Sequence, residues 1–231
     1  MQLQKYLVMT LALGLGPAAL ALTVSTNEYT CPIGGEKFTA TVPASGTSFG
    51  TRTDLKPYGP IQAPWTIPQC PTNKFVMFKE DFTAEELATF KQIIESDAYK
   101  AIPENSSEYY YLAKLYEGSK ASHEKIAWAY LKASWEMGGK DVLQNALNHF
   151  EKSLLAIKAS DKNAKDKTIT HNMLIGELNR LLGNFTQARK HFEMLKADKL
   201  YTDKAYLLKI IELELKLIEE KNTYPEEINK S

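Results

Sequence analysis

The chain has 231 residues, 44% of them hydrophobic and 24% charged, which suits one extended domain or two small ones and excludes disorder throughout. Its 28 basic and 28 acidic side chains cancel, and arginine occurs only at Arg52, Arg180 and Arg189. No basic stripe is available to neutralise phosphates, so nucleic acid is not expected as a partner.

Residues 1–21, MQLQKYLVMTLALGLGPAALA, place one cation at Lys5 before an apolar run that ends at Gly16-Pro17 and the small residues Ala19-Leu20-Ala21. This is the pattern of a secretory signal with an A-x-A cleavage site. The run is shorter than the roughly 20 apolar residues a bilayer span needs. Cys31 lies too far beyond it to be a lipidation site. The expectation is an exported, periplasmic protein with no stable membrane anchor after cleavage.

Residues 22–80 read as a loop-rich cap. Between 22 and 75 there are seven charged residues and seven prolines, a composition incompatible with helix. Lys37–Val42 alternates polar and apolar side chains as a strand does. "TRTDLKPYGPIQAPWTIPQCP" repeats proline too often for helix or central strand, and two or three short strands are expected in the whole cap.

From Phe82 the periodicity turns helical. Thr83-Ala84-Glu85-Glu86 is a capping box that predicts a helix over 83–97, with Leu87, Phe90, Ile93 and Ile94 on one face. Tyr109, Leu112, Ala113 and Tyr116 open a second. A third is predicted over 122–137, stopped by Gly138-Gly139. The fourth covers 141–159, and after the polar "SDKNAKDK" come three more at 167–182, 186–197 and 202–221. Residues 222–231 read as a flexible tail behind a helical domain over 81–221.

In "NMLIGELNRLLGNFTQARKHFEML", Ile175 and Gly176 lie on one helix, Gly183 ends it, and Ala188 and Phe192 follow on the next. The spacing resembles the tetratricopeptide repeat: small residues let the helices approach, the glycine takes the turn and the phenylalanine fills the gap. A weaker copy runs through Leu112, Ala113, Tyr116, Ala127 and Leu131. The predicted fold class is mainly α, an antiparallel helical-hairpin array carrying a small loop-rich cap with short β-structure.

The order of "TCPIGGEKF", "QCPTNKFVMFKEDFTAEE", "AWAYLKASW" and "LIGELNRLLGNFTQA" over residues 29–197 resembles the bacterial domain-of-unknown-function family 2225. The resemblance implies a zinc-ribbon-like module fused to tetratricopeptide-like helices and carries no catalytic residue. This chain departs from it where metal would bind. Cys31 and Cys70 match, but Gly34 and Asn73 stand where the other thiols should be. Structural zinc wants four N or S ligands, and no histidine lies within 22–75. In facing knuckles the two surviving cysteines are close, and export supplies the oxidant, so the expectation is a Cys31–Cys70 disulfide stapling the cap; free thiols or intermolecular pairing are the alternatives.

Gly46-Thr47-Ser48-Phe49-Gly50 spells G-x-S-x-G, but the strand and helix that a nucleophile elbow requires do not flank it. His123, His149, His171 and His191 fall singly on predicted helices, without metal-ligand spacing. Tyr110, Tyr111 and Trp128 lie off the main apolar face and are the expected binding surface. The functional expectation is a non-enzymatic scaffold that binds a protein or peptide, with no cofactor and no bound metal. The alternative is a metal-binding or thiol-redox module centred on Cys31 and Cys70.

Overall fold

The computed structural model describes residues 22–228. The expected signal peptide, at 1–21, and the last three residues of the expected tail lie outside the described residues.

The cap begins with a hairpin of β1 (Thr23–Thr30) and β2 (Lys37–Ser45), paired antiparallel with Tyr29 opposite Phe38. Its turn is the first Cys-Pro knuckle. The Gly35 N–H donates to Cys31 O at 3.0 Å, and Gly34 and Gly35 have φ of 102° and 72°, which side chains resist. The second knuckle repeats the arrangement, Lys74 N–H donating to Cys70 O at 3.0 Å. Between them lie β3 (Gly50–Thr51) and β4 (Pro57–Tyr58), a second short ribbon. The described cap thus holds four strands, where two or three were expected.

The helices are α1 (Ala84–Glu95), α2 (Asp97–Lys100), α3 (Glu108–Gly118), α4 (His123–Met137), α5 (Lys140–Ala156), α6 (Ala164–Leu181), α7 (Phe185–Ala197), α8 (Lys199–Thr202) and α9 (Ala205–Glu219). The capping box forms as read: Glu86 N–H donates to Thr83 Oγ1, and Thr83 N–H donates to the Glu86 carboxylate. Two one-turn helices, α2 and α8, add to the seven expected, because Ser96 and Asp198 cap new turns where the longer helices stop. α6 begins three residues early, at Ala164 after left-handed Asn163, inside the polar stretch expected to be loop.

From α3 to α7 each long helix packs on the next, and α9 packs on α7. The α6–α7 pair is tight: a Cβ on Gly176 would come within 2.5 Å of the Phe192 ring. Gly183, at φ 84°, makes the turn. Leu112, Ala113, Ala127, Ile175, Ala188 and Phe192 are all buried, whereas Tyr116 is half-buried.

Cap and helices share one core. Cys31, Cys70, Phe75 and Val76 belong to the same buried cluster as Phe90, Leu112, Tyr130 and Phe150. Phe75, Phe78, Phe82, Phe90 and Tyr116 pack edge-on across the junction. A second cluster joins Ile169, Phe192, Tyr201 and Ile211 at the other end.

The expected flexible tail is a docked segment as far as residue 228. Thr53 N–H donates to Glu226 O at 2.8 Å, and Ile228 N–H donates to Thr51 O at 2.9 Å, adding an antiparallel bridge to β3. Its polar composition concealed this, because backbone groups rather than side chains make these bonds.

Candidate functional site

Cys31 and Cys70 form a disulfide, with Cα atoms 5.7 Å apart, and both are buried. Asn73 takes over the place of a missing thiol in a different way. Its Nδ2 donates to Ile33 O in the opposite knuckle at 2.7 Å, while its Oδ1 accepts from Phe75 N–H at 2.9 Å. A Cβ at Gly34 would touch that amide nitrogen at an ordinary 3.8 Å, so the φ of 102° rather than lack of space favours glycine there. These residues do not fit zinc, since both sulfurs are bonded to each other, Gly34 offers no ligand and the Asn73 amide is engaged. Among the described residues no group of three or more His, Cys, Asp or Glu side chains is placed to hold a metal.

The most concentrated buried polar chemistry lies elsewhere, on α6 and α9. Glu177 and Arg180, three residues apart, share one face of α6, and Glu214 meets them from α9. All three are essentially inaccessible, at 0%, 0% and 1% exposure. Arg180 Nε donates to Glu177 at 2.9 Å and to Glu214 at 2.8 Å, and its NH2 lies 2.6 Å from Glu177. NH1 donates to the tail carbonyls of Asn222, at 2.7 Å, and Tyr224, at 3.0 Å. Thr53 enters from the cap, donating to Glu177 at 2.7 Å while accepting from Arg180 at 3.3 Å and from Glu226 N–H at 3.0 Å. The guanidinium thereby ties cap, tail and two helices to one point.

Two carboxyls against one guanidinium leave an excess negative charge that burial penalises. Burial pushes both above the usual carboxylate range. For Glu177 the next influence is Arg180, which pulls it back; for Glu214 it is the charge of Glu177, which drives it well up. The extra proton is thereby assigned to the Glu177–Glu214 pair rather than to either carboxyl alone. A carboxyl raised on folding stabilises most below its unfolded value and loses that contribution as pH rises through its folded value. Glu214→Gln, which mimics the protonated form, is expected to stay within about 1 kcal/mol of the parent at about pH 5 and to exceed it at about pH 9. Urea midpoints measured across that range check this; a parallel decline in both proteins would refute the assignment.

Beside the cluster runs a groove of about 1230 Å³, walled by Ile169 and Met173 of α6 and by Tyr206, Ile210 and Leu213 of α9. Glu214 also lines it, and Ser48, Gly50, Thr51, Thr53 and Leu55 of the cap border it with Glu227 and Ile228. Tyr206 is 59% exposed at its rim. Ser48 belongs to this border, but its Oγ donates to Gly50 O at 2.8 Å, in a loop with no helix behind it.

Of the three aromatics expected at a binding surface, Tyr111 is buried. It is 2% exposed, with its hydroxyl against Ile102 O and Pro103 O and its ring edge-on to Tyr99, because α2 folds over the side of α3 that periodicity left open. Tyr110 and Trp128 are half-buried, one edge-on to Tyr130 and the other to Phe150. Sequence reasoning missed Thr53, Glu177, Arg180 and Glu214. A signal existed in "LIGELNRLL" and "IIELELKLI", where charges interrupt otherwise apolar helix faces.

Comparison with the curated proteins and with the solved structures finds no match. The family model described as "Uncharacterized protein conserved in bacteria (DUF2225)" matches residues 24–213. That span takes in both knuckles, the α6–α7 hairpin and most of α9, and the chain belongs to this bacterial family.

Proposed function

We propose that this is an exported, non-enzymatic interaction protein that takes an apolar segment of a partner protein into the groove between α6 and α9. The observation that carries the reading is the groove itself, about 1230 Å³ and open to solvent, with half-buried Met173, Ile210 and Leu213 presented beside an exposed tyrosine. The Arg180 cluster supports it by holding both walls and both bordering segments rigid, as a preformed site requires. The disulfide supports an oxidising compartment, in keeping with the N-terminal secretory pattern. Gly176 against Phe192 and the turn at Gly183 support a tetratricopeptide-like array, in which one helix of each hairpin lines such a groove.

The test is a photo-crosslinking residue placed at Tyr206 in intact cells, with Leu155, 88% exposed on α5, as the control position. A discrete adduct at Tyr206 alone, abolished by Ile210→Asp, is the expected result. Equal labelling at both positions, or none at Tyr206, defeats the proposal.

A further inference from the structure

β1 is the outer strand of a ribbon with no third strand among the described residues. β2 is the more covered strand of the two, since Phe38 packs on the core and Pro43 is buried. Every position of β1 is exposed or half-buried. A two-stranded hairpin is marginal in water by itself, and an open strand edge is a template for another chain.

The ladder fixes which groups that edge offers. Cys31 N–H donates to Glu36 O at 2.8 Å, so the alternation of an antiparallel pair turns the backbone groups of Tyr29, Asn27 and Ser25 toward β2. Those of Thr26, Glu28 and Thr30 point outward. The Oγ1 atoms of Thr26 and Thr41 lie 2.9 Å apart, as side chains of a non-hydrogen-bonded pair should. No backbone group among the described residues meets this outward row. Edge strands are ordinarily guarded by lysine, proline or a bulge. TVSTNEYT has neither lysine nor proline, and its register is irregular only at Thr23/Val24, whereas β2 carries Lys37 and Pro43.

We propose that the outer edge of β1 pairs antiparallel with β1 of a second copy of this chain, about a two-fold axis normal to the sheet, making one four-stranded sheet. Such an axis keeps each residue on its own face, so it must pass through a residue rather than between two. Centred on Asn27, it sets Thr26 opposite Glu28, Ser25 opposite Tyr29 and Val24 opposite Thr30 of the second copy. The strand from 24 to 30 is then used in full. Its one charge, Glu28, faces a hydroxyl instead of another carboxylate, so the strand is compatible with its own reverse.

Sedimentation equilibrium of the full chain tests this. The wild type should run at twice the chain mass and Thr26→Pro at once, because proline removes an outward N–H while the ladder bonds of Ser25 and Asn27 remain. Thr26→Pro should keep the wild-type circular dichroism and urea midpoint; Glu28→Pro removes the next outward N–H and serves if the first variant fails to fold. Ile210→Asp, in the groove, should leave the doubled mass unchanged, which separates this result from the fate of the groove reading. A monomeric wild type at the highest soluble concentration overturns the proposal, and so does a dimer that survives both prolines.

Discussion

Arg180→Leu should destabilise the protein by about 3–5 kcal/mol and release residues 222–228 from the cap, because it leaves Glu177 and Glu214 buried without their cation. The loss also strips Asn222 O and Tyr224 O of their donor, and Thr53 keeps only one of its two incoming bonds. Urea unfolding gives the magnitude, and hydrogen exchange at the Ile228 amide, which bonds Thr51 O, reports the tail. Replacing Arg180, Glu177 and Glu214 together by leucine or methionine should recover most of the stability, since a buried ion cluster is often no better than well-packed apolar side chains. It should not recover protection at Ile228. Unchanged exchange in Arg180→Leu would show that the β3 bridge alone holds the segment.

The second large effect is expected from the staple. Removing the disulfide with Cys31→Ala and Cys70→Ala should cost roughly 4 kcal/mol in the chain-entropy model for a separation of 39 residues. The loss should fall on the whole molecule rather than on the cap alone, because Cys31, Cys70, Phe75 and Val76 sit in the same core as the helices. Asn73 would still span the knuckles through Ile33 O, but a single neutral hydrogen bond contributes only about 1 kcal/mol. The urea midpoint with and without reductant measures the effect, and an unchanged midpoint would show the bond to be dispensable.

Much of the helical part was legible because its cues are local. Thr83 and Glu86 are three residues apart, and Gly176 announces close packing wherever Phe192 lies. The cysteine pairing was legible for another reason, since two cysteines admit one intramolecular bond. What escaped depends on partners far along the chain. Arg180 is polar, and polarity alone suggests solvent; only Glu214, 34 residues on, and Thr53, 127 residues back, make it an interior residue. Tyr111 failed for the same reason on a smaller scale. Helical period assigns faces within one helix, but α2 and the Ile102–Pro103 turn cover a face that period leaves open. The groove was invisible because its walls, α6 and α9, are not neighbours in the packing order, and α7 with α8 separates them in the chain.

The bond between Glu226 N–H and Thr53 Oγ1 spans 173 residues. It cannot exist while residue 226 is still being synthesised, whatever the rest of the chain has done. The helices from α1 to α7 have sequence-adjacent partners and can order as they emerge, whereas Glu177 and Arg180 must wait for both α9 and the tail. Bringing such distant segments together carries an entropic cost that grows with the logarithm of the loop, so this junction belongs to the last stage of folding. Until then Glu177, Arg180 and Glu214 stay hydrated, and the interior that joins cap, tail and helices cannot close.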